Sequence, residues 1–189
     1  MKSGNGNRRI VRLIAVLLIL AAAAYGVYAY LELQRAEKHA NEVLGKMKTM
    51  IPGLGTDTGI STGQGRDPLV SLSIDGIDIV GCIEMPSVNL MAPVATSGYE
   101  EEGFTAIISG SPVKGHLRLL GGRKDVFRNI AKARPGDTVA FTDVDGVRYT
   151  YRVTTQFHLK DWDETDQDLM LCYRTDEQTQ FVLGCKREQ

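Results

Sequence analysis

Residues 13–31, LIAVLLILAAAAYGVYAYL, form an apolar run that no charge interrupts. At a helical rise of about 1.5 Å per residue, the run is close to the length that crosses a bilayer core. Beyond it Leu33, Ala36, Ala40, Val43, Leu44 and Met47 recur at three- and four-residue spacing. That spacing predicts a helical stalk over residues 32–51, ended by Pro52. Residues 52–68 are Gly/Thr-rich with almost no large apolar side chain, which predicts a flexible linker. From residue 69 to residue 189 the pattern changes to short strands. Apolar or alternating segments at 79–85, 88–94, 104–109, 138–142, 147–153, 169–173 and 180–185 are each bounded by Gly, Pro or Asp-Gly turn signals. Residues 111–122 carry Gly115, Gly121 and Gly122 and read as a loop; residues 124–133 read as a short helix burying Val126, Phe127 and Ile130. Many short strands at close spacing with one short helix predict a small, mainly β, closed barrel.

Charge changes this picture only at the N-terminus. The formal net charge of the 189 residues is −1, which gives no basic signal for nucleic acid. Lys2, Arg8, Arg9 and Arg12 precede the apolar run, and Glu32 and Glu37 follow it. Residues 1–12 therefore read as a basic cytoplasmic tail and residues 13–31 as a single-pass transmembrane helix, with the C-terminal domain extracytoplasmic. A cleaved signal peptide is the competing reading, disfavoured because the run exceeds the usual ~7–15-residue signal core. Cys82, Cys172 and Cys185 are an odd number, so at least one thiol of an exported chain is free. No pair has CxxC spacing and the histidines are His39, His116 and His158, so no zinc site and no cofactor is expected.

Four segments carry a family resemblance. They are IVGCIEMPSVNLMAPV (79–94), FRNIAKARPGDTVAF (127–141), DGVRYTYRV (145–153) and LMLCYRTDEQTQFVL (169–183). Together with the membrane anchor they resemble a sortase, the cell-wall cysteine transpeptidase of Gram-positive bacteria, and the last hairpin is most similar to the class B form. The resemblance implies a small closed sortase-like β-barrel over residues 69–189. It also implies secreted protein substrates bearing a sorting signal, and a cell-wall or pilin amine as acceptor. In a sortase the strand before the helix ends in Gly-His, the first strand of the last hairpin ends in the catalytic Cys, and the second opens with the catalytic Arg. By that pattern Cys172 is the nucleophile and Gln180 stands where Arg is expected. Ser111 stands where His is expected, with Gly115-His116 five residues later.

Two functions follow. In the first, Cys172 attacks a peptide carbonyl, His116 acts as acid and base, and Gln180 is a weakened oxyanion donor. In the second, the departures at His and Arg leave a sortase-fold pseudoenzyme that binds or scaffolds at the cell surface. Cys185 is a rival nucleophile, aligning FVLGC with the family's TLxTC, and Cys82 reads as core. His158 reads as facing solvent, and Trp162 as a loop anchor. The acidic cluster Asp161, Asp163, Glu164, Asp166 and Asp168 has no EF-hand spacing and reads as a solvated loop before a calcium site.

Overall fold

The computed structural model describes residues 4–51, 53–55, 65–98, 103–122, 126–159, 166–176 and 179–188. It contains one long helix, α1 (Gly4–Met50), and nine strands. These are β1 (Leu72–Ile74), β2 (Ile77–Met85), β3 (Leu90–Ala95), β4 (Thr105–Ser111), β5 (Gly115–Gly121), β6 (Thr138–Asp143), β7 (Arg148–Leu159), β8 (Leu169–Arg174) and β9 (Gln180–Arg187). The chain divides into two compact units, Met1–Arg35 and Ala36–Gln189. In the first unit α1 leaves Leu13, Ile14, Leu17, Leu18, Ile19 and Leu20 exposed. Among the described residues α1 is the one helix long and apolar enough to cross a membrane.

In the second unit the strands follow the order β2-β3-β4-β5-β8-β9-β7-β6, and β6 pairs back onto β2 to close the barrel. β1 adds to β2 through a two-residue turn, Asp75-Gly76, both at positive φ. Asp and Gly tolerate that conformation, and the turn's twist matches the flanking strands. Strand alternation sends one set of side chains inward. Val94, Leu117, Leu119, Phe141, Tyr151, Leu169, Leu171 and Leu183 fill the barrel with Phe127 and Ile130.

β2 buries both of its faces. Val80, Ile83 and Met85 point into the barrel, while Ile77, Ile79 and Cys82 point out beneath α1. A register shift between Ile79 and Gly81 separates the two alternations. The predicted stalk supplies the cover. Ala40, Val43, Leu44 and Met47 are the stripe of α1 that packs on Ile74, Ile77, Ile79 and Phe104. Lys46 pairs with Asp75 at 2.5 Å and Arg128 with Glu37 at 2.9 Å. The compact unit thus starts at Ala36, whereas the sequence pattern starts the barrel domain at residue 69.

Three further differences have local causes. β5 occupies the segment predicted as loop. Residues 126–133 form turns and a 3-10 segment, Ile130–Lys132, rather than an α-helix. Phe127, Ile130 and Ala133 are buried at a spacing of three, which a 3-10 turn satisfies as well as an α-helix does. Of the predicted linker, most lies outside the described residues, but Gly65–Pro68 is described and fastened, by Arg66 to Asp145 (2.7 Å) and by Asp67 to Lys114 (2.5 Å).

Met47 is fully buried between helix and barrel. Its truncation leaves a cavity, so Met47→Ala is expected to destabilise residues 36–189 by about 2–4 kcal/mol. Lys38→Ala, on the exposed face of the same helix, should cost less than about 0.5 kcal/mol. Urea unfolding followed by circular dichroism measures both. Equal effects would mean that α1 does not pack on the barrel.

Candidate active site

Three strands place the residues singled out in the sequence. β5 and β8 run parallel, with Leu117 opposite Leu169 and Leu120 opposite Cys172. β8 and β9 run antiparallel, with Cys172 opposite Val182 and Arg174 opposite Gln180. Leu169, Leu171 and Tyr173 of β8 face the barrel interior. Met170 and Cys172 face the other way, in a separate apolar cluster with Val182, against which Leu120, Phe157 and Leu159 pack.

Cys172 is therefore neither at a strand end nor open to solvent. It is 0% exposed and lies two residues before Arg174, the last residue of β8. Burial pushes its thiol up to about 12, because a thiolate loses its hydration among apolar side chains. Arg118 pulls in the opposite direction without overcoming burial. Arg118 stands opposite Met170 in the parallel register, diagonal to Cys172 on the same face. The alternation in HLRLL, which puts His116, Arg118 and Leu120 on one face, is the signal that could have found it.

His116 sits at the other end of the same pairing, four positions before Leu120. At about 3.3 Å per residue that is roughly 13 Å along the strand from the level of Cys172. The backbone of His116 is left-handed (φ 57°), and its Nδ1–H donates to the Gln167 carbonyl oxygen at 3.0 Å. The ring is exposed at the barrel end where β5 starts. A base must lie within hydrogen-bond reach, about 2.6–3.2 Å, of the proton it takes. The structure does not bring His116 and Cys172 together.

Gln180 does share a face with Cys172, one strand repeat further toward the strand ends. Its Oε1 is buried and makes no hydrogen bond among the described residues. Ser111, at the end of β4, lies at the barrel end of His116, because β5 intervenes between it and the 126–133 segment. The strand that precedes that segment is β5. It ends at Gly121, where a Cβ would meet the Phe127 ring at 2.7 Å, so a side chain there would displace Phe127 from the core. Gly122 follows and its carbonyl accepts the Phe127 N–H at 2.8 Å.

The other sequence candidates separate cleanly. Cys185 points into the barrel core, where burial raises its thiol to about 12. Cys82 lies under α1 with its thiol raised by burial and, secondarily, by Glu84. His158 is exposed and meets Phe181 edge-on. Asp161, Trp162, Asp163 and Glu164 lie outside the described residues. Asp166 and Asp168 both face Lys186, at 2.8 and 3.9 Å. Among the described residues no group of three or more His, Cys, Asp or Glu could hold a metal ion.

The sequence matches no protein-family model and no curated protein. The fold does match solved structures. Sortase A of Listeria monocytogenes superposes with a TM-score of 0.51 at 22% identity, over 59% of this chain and 88% of that one. Sortase C1 of Streptococcus agalactiae gives 0.53 at 17% identity, over 85% and 90%. Sortase A of Corynebacterium diphtheriae gives 0.51 at 13% identity, over 89% and 96%. The barrel is a sortase fold.

A thiol held near 12 and shielded from solvent does not alkylate at neutral pH. With iodoacetamide at pH 7–8, Cys172 of the native protein should label no faster than Cys82 or Cys185, and all three should label once urea unfolds the barrel. Mass spectrometry of the digested protein reads the sites. Selective labelling of Cys172 in the native state, slowed by His116→Ala, would overturn this geometry.

Proposed function

We propose that this chain is a membrane-anchored sortase-fold binding module that works without thiol chemistry. The observation that carries the reading is the position of Cys172, inside a strand and inside an apolar cluster. In a sortase the reacting groups stand at strand ends, as Gly-His, Cys and Arg. The corresponding strand ends here are Gly121-Gly122, Arg174 and Gln180. None of the three is a thiol, an imidazole or a guanidinium in the expected place, although Arg174 brings a cation to the thiol's position.

Magnitudes favour the same reading. With a thiol near 12, about one molecule in 10⁵ carries the thiolate at pH 7. Loss of a general base costs about 10²–10⁴ in rate, and loss of an oxyanion donor about 10²–10³. The transfer of an acyl group to a cell-wall or pilin amine is the half of the sortase reaction that this reading drops. Recognition of an extended segment of a secreted protein is the half it keeps. Gln180 suits that task, because its buried Oε1, without a hydrogen bond among the described residues, can accept a backbone N–H from such a segment.

The basic residues before α1's apolar run and the acidic ones after it orient the barrel outward. Protease added to intact cells should then digest the barrel and leave the N-terminal tail. A protected barrel would reverse the topology.

The functional test uses Cys172→Ala. The variant should capture the same extracytoplasmic proteins as wild type by cross-linking in intact cells. Protein isolated from its membrane should carry no hydroxylamine-labile adduct on Cys172. A thioester on Cys172, lost on hydroxylamine treatment and absent from the alanine variant, would restore the transpeptidase reading.

A further inference from the structure

We propose that the barrel end opposite the β8–β9 turn holds a second binding site, a cleft that takes a carboxylate group between Arg187 and Tyr151. The β4–β5 turn, the start of β7, Asp168 and the end of β9 meet there around a cleft of about 510 Å³. Its polar lining is Lys114, Tyr151, Asp168, Arg187 and Glu188.

Tyr151 is 1% exposed, and its hydroxyl has no hydrogen-bond partner among the described residues. A buried hydroxyl left unpaired is costly, so its presence in a residue that lines a cleft points to an acceptor that arrives from outside. Burial holds the Tyr151 phenol well above its ordinary pKa, which keeps the hydroxyl protonated and a donor.

Arg187 supplies the charge. Its guanidinium lies over the Tyr149 ring at 5.0 Å and donates through Nη1 to the Pro112 carbonyl oxygen at 3.0 Å. Those two contacts fix the plane of the group, and neither partner is an anion. Among the described residues no carboxylate pairs with the Arg187 side chain. The nearby acids are committed elsewhere. Asp168 accepts the Arg187 backbone N–H at 2.8 Å, and Glu188 accepts from Arg152 Nε. Lys114 is held by Asp67 at 2.5 Å.

One unanswered guanidinium and one neutral donor fit a monoanion with planar oxygens, since a guanidinium grips a carboxylate through parallel N–H bonds. A phosphate dianion would meet Asp168 and Glu188 with about twice the repulsion that a carboxylate meets. The carboxylate can belong to a small organic acid or to the C-terminus of a peptide.

The full-length protein in detergent micelles tests this by saturation-transfer NMR and calorimetry. The probes are sodium acetate, N-acetyl-Ala-Ala, N-acetyl-Ala-Ala-amide and inorganic phosphate. Acetate or the free dipeptide should bind, with the amide and phosphate at least about tenfold weaker. The dipeptide binding more tightly than acetate assigns the site to a peptide terminus, and the reverse assigns it to small acids. Tyr151→Phe should weaken the carboxylate about tenfold without lowering the thermal midpoint, because the hydroxyl it removes bonds to none of the described residues in the free protein. Arg187→Gln should abolish binding. Equal binding of acid and amide, no binding of either carboxylate, or unchanged affinity in Tyr151→Phe would overturn the proposal.

Discussion

The parallel pairing of β5 with β8 joins two parts of the chain that no local signal connects. β1 to β5 come from residues 72–121, and β6 to β9 from residues 138–187. β2–β6 contacts close the barrel on one side, and β5–β8 contacts close it on the other. Parallel partners cannot be joined by a tight turn, so this contact forms across a long loop and its register is set by side-chain burial. Leu117, Leu119, Leu169 and Leu171 must all face inward. That requirement sends Cys172, Leu120, Arg118 and His116 outward together and spaces them along the strand.

From this one register the electrostatics follow. Cys172 comes to rest against Leu120 and Val182, and the apolar contacts that stabilise the outer cluster also raise the thiol. A catalytic thiol needs a cation or imidazolium close by and access to substrate. Arg118 gives partial charge compensation from the diagonal position, and the imidazole of His116 is bonded to Gln167 at the far end. The sortase fold is thus present with its strand ends occupied by Gly121-Gly122, Arg174 and Gln180.

Much of the barrel was legible in the sequence because strands with a two-residue period and Asp-Gly turns announce themselves locally. β2, β6, β7 and the β8–β9 hairpin fall where the alternation put them. β5 did not, because Gly115, Gly121 and Gly122 bracket it and HLRLL is too short to separate strand from loop. Without β5, the strand before the 126–133 segment is β4, and the expected histidine position falls on Ser111. The separation of His116 from Cys172 is illegible for the same reason: only the strand character of β5 fixes the two at opposite ends of the β5–β8 pairing. The helical stripe of Val43, Leu44 and Met47 was visible, but its partners on β2 lie more than 25 residues away and are fixed only by folding.

Cysteine cross-linking tests the β5–β8 register directly. Directly opposed residues on neighbouring strands fall within the Cα separation of about 4.4–6.8 Å that a disulfide accepts, whereas residues four positions out of register do not. With Cys82 and Cys185 replaced by alanine, Leu120→Cys should form a disulfide with Cys172 under mild oxidation, and His116→Cys should not. A His116→Cys disulfide with Cys172, with Leu120→Cys remaining reduced, would place the histidine beside the thiol and contradict the account.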